Sequence, residues 1–536
     1  MAAIITTTAA PSPWTTPRSS PPPLVFTIPP FPGPDELIPA AKSLSDVYPG
    51  SDLPSQSLRW QALSDKFKLI YKRPVSFVTR SPGRVNVIGE HIDYSWFPVL
   101  PIAMAQDALV AVAIARDPAD DATVEVANVD DQAYDSVSFD LSDFSNPFFQ
   151  IKHTSHWTAY VLAGIKGALT FSKLCSTDTF KPLPKLRILI DSNVPVYAGL
   201  SSSSALVCST ILAVLAATCS HPPLAAVEKS FLVNSAVIAE RALGINSGGM
   251  DQTASVFGVR DSSVFVDFRP LLSPMPIPVS SDLVFVLANS KVVSKRADIG
   301  PSRFNVRVVE TTLAAEILAK RWGAVLDIRD GFGGTLRGLY DSVCEREGWQ
   351  MGTRASEEHA MREIVKRIRT EFWQKTYSLS EICQMLSITP DMLQYKYMTR
   401  FPISAQSLNL RDRAIHVLEE AFRVKCFSAM LSDGNRNMSA LGSLMNASHN
   451  SCATLYECSC PEVDDLVGIA RKHGAEGSRI TGTGWGGCSV TLVRAEKLHR
   501  VMTGLRQDYY KVRGFEPDVI VVRPATGASV ASWPGL

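Results

Sequence analysis

No sign of charge dominates this chain. The 53 Lys and Arg residues stand against 52 Asp and Glu, so there is no net field to hold a nucleic acid or an anionic membrane surface, and neither is expected as a partner. The ten cysteines contain no Cys-x-x-Cys, and the closest pair, Cys458 and Cys460, has the wrong spacing for a zinc knuckle. They read as free thiols in a reducing cytosol. A membrane-length apolar run is also missing. The longest, Ala205 to Cys219, carries Ser209, Thr210 and Thr218 and falls short of the roughly 20 residues a bilayer span needs, so it reads as a buried helix. No basic start, apolar run and small-residue cleavage site occur together early in the chain, which leads to the expectation of a cytoplasmic protein.

What is present is the makings of two cores. With 536 residues, 46% of them apolar and 20% charged, the chain exceeds the roughly 250–300 residues at which single cores stop growing. Residues up to about Asp35 are rich in Pro, Ser and Thr and cannot build a core. Apolar spacing predicts helices over Leu58–Ile70, Thr158–Ser172, Ser203–Thr218 and Phe231–Leu243, and helical periodicity from about Val308 to Cys426. Strands are predicted at Val75–Thr79, Ala108–Ala115, Thr123–Val129, Leu186–Ile190, Val264–Phe268, Leu283–Ala288, Cys488–Val493 and Val519–Val522. The class is α+β. Ser378–Gln394 has the cadence of a helix-turn-helix but lacks the basic residues that would hold phosphates.

Four segments concentrate polar or glycine residues between apolar runs. Gly83-Arg84-Val85-Asn86-Val87-Ile88-Gly89-Glu90-His91-Ile92-Asp93-Tyr94 packs charges into a turn, which reads either as a solvated salt-bridged loop or as a pocket matching the hydroxyls of a polar ligand. Gly199-Leu200-Ser201-Ser202-Ser203-Ser204-Ala205 opens the apolar helix, so it is either a serine-rich cap or an anion site on free N–H groups and the helix dipole. No G-x-x-x-x-G-K-[ST] occurs, so a phosphate loop here would be of another kind. Ser247-Gly248-Gly249-Met250-Asp251, preceded by Glu240, puts an acid behind two glycines, where a substrate hydroxyl could approach a base. Thr481-Gly482-Thr483-Gly484-Trp485-Gly486-Gly487 contains a formal G-x-G-x-x-G, yet a strand-like run follows instead of a helix. It is better read as a glycine loop packed on the phosphate loop.

Taken in order, the four segments resemble the GHMP kinase superfamily, and the first is similar to the signature of its galactokinase group. The resemblance runs from about Leu58 to Val522. It implies a ribosomal-protein-S5-like N-terminal domain and a ferredoxin-like C-terminal domain, which places a tail at residues 1–50 and the two domains at 51–280 and 281–536. It further implies ATP and Mg²⁺, transfer to the anomeric hydroxyl of a sugar, and a sugar pocket lined by Arg84, Glu90, His91, Asp93, Ser247, Gly248, Asp251 and Phe304. Asp251 would take the hydroxyl proton with Arg84 beside it. Gly199, Ser201, Ser202 and Ser203 would hold phosphate, Ser203 and Glu240 the metal, and Ser294, Lys295 and Arg296 the nucleotide. The chain departs from the group at Tyr197, where glycine is usual, and at Ser294-Lys295-Arg296, where a Ser-Asn-Lys-like sequence is usual. Galactose is the substrate implied, with N-acetylgalactosamine as the alternative because Phe304 replaces a tyrosine. A third reading is a galactose sensor acting on a regulatory protein of gene induction. Fungal inducers lack two residues after the serine run, whereas Ser204-Ala205 is present here, which favours an enzyme. A monomer is expected.

Overall fold

The computed structural model describes residues 36–115, 123–140, 156–174, 183–218, 227–244, 246–294, 299–326, 333–399, 402–434 and 437–532. The central strand, Phe77–Ile88, is buried along its whole length. It lies inside a sheet whose order, among the described residues, is Ala40–Ala41, Ser529–Ser532, Phe77–Ile88, Leu100–Ala115, Lys185–Ser192, Thr123–Asn128 and Val137–Asp140. Side chains alternate between two cores, as a period of two requires. Phe77, Val110 and Val112 join the large core that includes Leu212 and Leu215 of the helix Ser202–Thr218. Val78, Leu109 and Ala111 meet Trp60, Leu63 and Phe67 of the helix Leu53–Tyr71.

Two expected boundaries shift. Residues 36–50 are not a loose tail: Ala40–Ala41 pairs in parallel with Val530 and Ala531, and Tyr48 is buried with its hydroxyl donating to Asp107 Oδ2 at 2.7 Å. The apolar residues Ile38, Val47 and Tyr48 follow the Pro-rich stretch and supply burial that it cannot. At the other end, Ser529–Ser532 returns to pair antiparallel with Phe77–Arg80, so the C-terminal domain closes before that strand. A buried cluster fixes the return. Arg80 donates through Nε to Asp107 Oδ2 at 2.5 Å and through Nη1 to the carbonyls of Thr526 and Gly527 at 2.9 Å, while Arg59 pairs with Asp107 Oδ1 at 2.6 Å. Burial alone would raise the Asp107 carboxyl, but the two guanidiniums more than offset it and hold it low.

The second domain has an antiparallel sheet, Gly477–Thr481, Cys488–Arg494, Leu283–Asn289 and Val519–Val522. Helices carry its middle, among them Asn305–Trp322, Arg354–Glu371 and Leu410–Ser432. The helix-turn-helix cadence becomes Leu379–Leu386 and a four-residue Pro390–Leu393, too short to read a groove. Among the described residues no helix is long and apolar enough to cross a membrane.

Candidate active site

The helix Ser202–Thr218 has no charged residue, and most of its side chains are buried. Its first-turn N–H groups have no intrahelical acceptors. Ser201, at φ 59°, is buried, and its hydroxyl has no partner among the described residues. Ser202 and Ser203 are half-buried. Gly199, at φ 75°, lets the loop turn toward the helix. The fourth glycine segment braces it from behind: a Cβ on Gly482 would lie 2.0 Å from the Gly199 carbonyl oxygen, and one on Gly487 2.7 Å from that of Ala198. Gly482–Gly487 joins two antiparallel strands, which excludes a dinucleotide fingerprint.

Arg84 ties this loop to the acid. Its Nε and Nη2 approach Asp251 Oδ1 at 2.7 and 2.6 Å, while Nη1 donates to the Gly199 carbonyl at 2.6 Å. Both side chains are almost wholly buried, so the pair acts in a low-dielectric setting. The first segment was expected to be a turn, but Arg84 sits inside the strand Phe77–Ile88, where the β-bulge between Pro82 and Arg84 shifts the register. Asp251 is the second residue of the helix Met250–Phe257, and Asp93 Oδ2 accepts from the Met250 N–H at 3.3 Å, so two carboxylates meet one helix start. Gly248 permits the approach, since a Cβ there would fall 2.5 Å from the Asp93 carboxyl carbon. Ser247 bonds Gln252 through its hydroxyl at 3.3 Å.

Glu240 is buried nearby. Of the serines, Ser204 rather than Ser203 contacts it, donating to Oε1 at 2.8 Å, and Gln252 donates to Oε2 at 2.5 Å. Ser294 is buried with its hydroxyl on the Gly484 carbonyl at 2.7 Å, and its N–H meets the Tyr197 carbonyl at 3.2 Å. Lys295 and Arg296 lie outside the described residues.

Glu90 is held by partners that sequence reasoning missed. Arg479 Nη2 donates to its Oε2 at 2.8 Å, and the Gly482 N–H reaches the same oxygen at 3.2 Å. Burial nevertheless leaves the Glu90 carboxyl raised. Its backbone is fixed by Glu420, whose Oε1 accepts from the Gly89 and Glu90 N–H groups at 3.0 and 3.2 Å, and by His416 Nε2, 3.0 Å from the Glu90 carbonyl. Burial pushes the His416 imidazole down to about 4, so it is neutral and donates to that carbonyl. His91, at φ 59°, stands 5.5 Å from both Phe304 and Trp485 and bonds the Tyr94 hydroxyl at 3.1 Å, which in turn meets the Tyr456 hydroxyl at 2.5 Å. Phe304 lies 5.9 Å from Tyr94 and closes this aromatic wall.

Residues 65–114 match the galactokinase galactose-binding signature, 164–259 the N-terminal domain of GHMP kinases and 425–511 their C-terminal domain. The galactokinase of Saccharomyces cerevisiae is 34% identical over 494 residues, covering 86% of this chain and 93% of that protein. This chain belongs to the galactokinase family. The galactokinase of Dictyostelium discoideum is 33% identical, over 88% of this chain and 91% of its own. Among solved structures, that of Lactococcus lactis galactokinase complexed with galactose superposes with a TM-score of 0.62 at 24% identity, over 88% of this chain and 99% of that one. The fold is thus that of GHMP kinases, and the galactokinase-family chain is an ATP-dependent sugar kinase.

Proposed function

We propose that the chain transfers the γ-phosphoryl group of ATP to the anomeric hydroxyl of galactose. One observation carries this reading: a single buried guanidinium joins Asp251, at the sugar side, to the Gly199 carbonyl of the phosphate loop. Asp251 takes the proton of the C1 hydroxyl as its oxygen attacks the γ-phosphorus, the new O–P bond forms, and the bond to the bridging oxygen of ADP breaks. Arg84 keeps the carboxylate oriented and stabilises negative charge developing between donor and acceptor. The first-turn N–H groups after Gly199 and the partnerless Ser201 hydroxyl suit phosphate oxygens.

Mg²⁺ fits the residues present. Mg²⁺ takes one or two protein oxygens and completes its shell with phosphates and water, and the buried Glu240 carboxylate beside the serine run offers such a hard oxygen donor. Ser203 and Glu240 would hold it, with Ser204 and Gln252 orienting the Glu240 carboxylate. When bound, the ion neutralises phosphate charge. The described cysteines are all free thiols, which supports a reducing compartment.

Phe304 favours a second substrate, because an apolar ring edge at the proposed sugar wall would suit the methyl of a 2-acetamido group. An ADP-release assay across galactose, N-acetylgalactosamine, glucose and arabinose separates the readings. Galactose should have the highest kcat/KM. A preference for N-acetylgalactosamine would reassign the substrate, and no turnover of any sugar would support a sensor.

A further inference from the structure

Away from the active site, the helices Arg354–Glu371 and Leu410–Ser432 pack against each other and leave a groove of ≈ 590 Å³ between them. Its floor is apolar, made by Met361, Val365 and Phe422. Its rim is basic: Arg362, Lys366, Arg369 and Arg423 face a single acid, Glu419. Arg362 is committed to Glu358 at 2.5 Å, but among the described residues the exposed Lys366 and Arg369 have no carboxylate partner. Arg423 is only 9% exposed; its Nε donates to Glu420 Oε2 at 2.7 Å and its Nη1 pairs with Glu419 Oε2 at 3.6 Å, which leaves Nη2 without an acceptor among the described residues. A buried guanidinium nitrogen without an acceptor favours an incoming anion, since a buried donor left unmet forfeits the hydrogen bond it would make with water.

We infer that this groove docks an acidic amphipathic segment of a partner protein. Residues 362, 366 and 369 stand at helical spacings of four and three, a line of roughly 10 Å along the helix, longer than one small anion spans. A peptide carrying several carboxylates covers that line while its apolar side chains meet Met361, Val365 and Phe422, which offer nothing to a nucleic-acid backbone. The groove also communicates with the sugar loop. Arg423 holds one oxygen of Glu420, and the other oxygen holds the Gly89 and Glu90 N–H groups. Arg423 is for that reason unsuitable as a test residue, whereas Lys366 and Arg369 lie on the exposed rim and touch no part of the active site.

The test is fluorescence anisotropy with the full-length protein and a labelled helical peptide of about 18 residues, Leu and Phe on one face and Glu on the other. Two control peptides replace Glu by Lys, or the apolar residues by Ser. Saturable binding by the acidic peptide alone, weakened at least about tenfold in Lys366→Glu/Arg369→Glu with galactose phosphorylation unchanged, is the expected result. The same direction, smaller, is expected for Lys366→Ala/Arg369→Ala. Absence of saturable binding, equal binding of either control, or an unchanged affinity in the charge-reversed variant overturns the proposal. Full competition by a single-stranded oligonucleotide overturns it as well. So does self-association by light scattering that the charge reversal abolishes, because the occupant would then be a second copy of the chain.

Discussion

At the scale of single residues, the site depends on side chains whose geometry is already fixed by buried neighbours. Phe304, which faces the sugar in the proposed reading, packs against the rings of His91 and Tyr94. Phe304→Tyr should raise the kcat/KM ratio of galactose over N-acetylgalactosamine by up to about tenfold, the effect of one added hydrogen bond and a tighter wall. Measuring both sugars on both proteins decides this, and a ratio that stays put or moves the other way removes Phe304 from the choice. Arg84, Glu90, His91, Asp93 and Asp251 stand out in the sequence as polar residues crowded into two short segments, a pattern that also fits a salt-bridged loop; it is the resemblance to GHMP kinases that implies a sugar pocket. The partners Arg479, Glu420 and His416 do not stand out, since each meets its partner across more than 300 residues of chain. Ser204 shows a finer limit: four consecutive serines cannot reveal which one the helix turns toward Glu240.

Among the elements, the phosphate loop and the glycine loop form one unit. Gly482→Ala would place a Cβ 2.0 Å from the Gly199 carbonyl and would also strain a residue at φ 92°. It should lower kcat by at least about 10²-fold through displacement of the loop, with a lower thermal midpoint. Kinetics near wild type would mean that the two loops are not coupled. The helix Leu410–Ser432 makes a different prediction through His416. Folding lowers its pKa from 6.5 to about 4, so below 6.5 the unfolded chain gains a proton that the folded protein does not. The stability from this group is therefore complete above pH 6.5 and lost as pH falls toward 4, an effect on the order of 3 kcal/mol. His416→Gln, which retains an N–H for the Glu90 carbonyl, should flatten the thermal midpoint between these pH values, whereas a profile parallel to wild type would contradict it. Strand and helix positions followed well from apolar periodicity. Of the strand Phe77–Ile88, alternation predicts only the part within Val75–Thr79, because the remainder holds Pro82, Gly83 and four buried polar residues, Arg80, Ser81, Arg84 and Asn86, that alternation cannot rank.

For the molecule as a whole, the C-terminus belongs to the first sheet. Four residues, Ser529–Ser532, sit between Ala40–Ala41 and Phe77–Arg80, and no local pattern announces pairings between residues as far apart as Ser529 and Arg80 or Val530 and Ala40. Removing residues from 526 onward would take away two carbonyl acceptors of the buried Arg80 as well as the strand. The truncated protein should lose on the order of 3–5 kcal/mol of stability, read by denaturant unfolding, and an unchanged midpoint would show that the return strand is dispensable. The two domains meet where the Arg84–Asp251 pair stands beside Gly199 and the Gly482 loop, the place proposed for phosphoryl transfer. The most direct test is ³¹P NMR of ATP and galactose incubated with the wild-type protein and with Asp251→Asn. Wild type should form galactose 1-phosphate, and the variant should form it about 10²–10⁴-fold more slowly at saturating ATP. Phosphate at another hydroxyl, or an equal rate in the variant, would contradict the role of Asp251 as the group that receives the C1 proton.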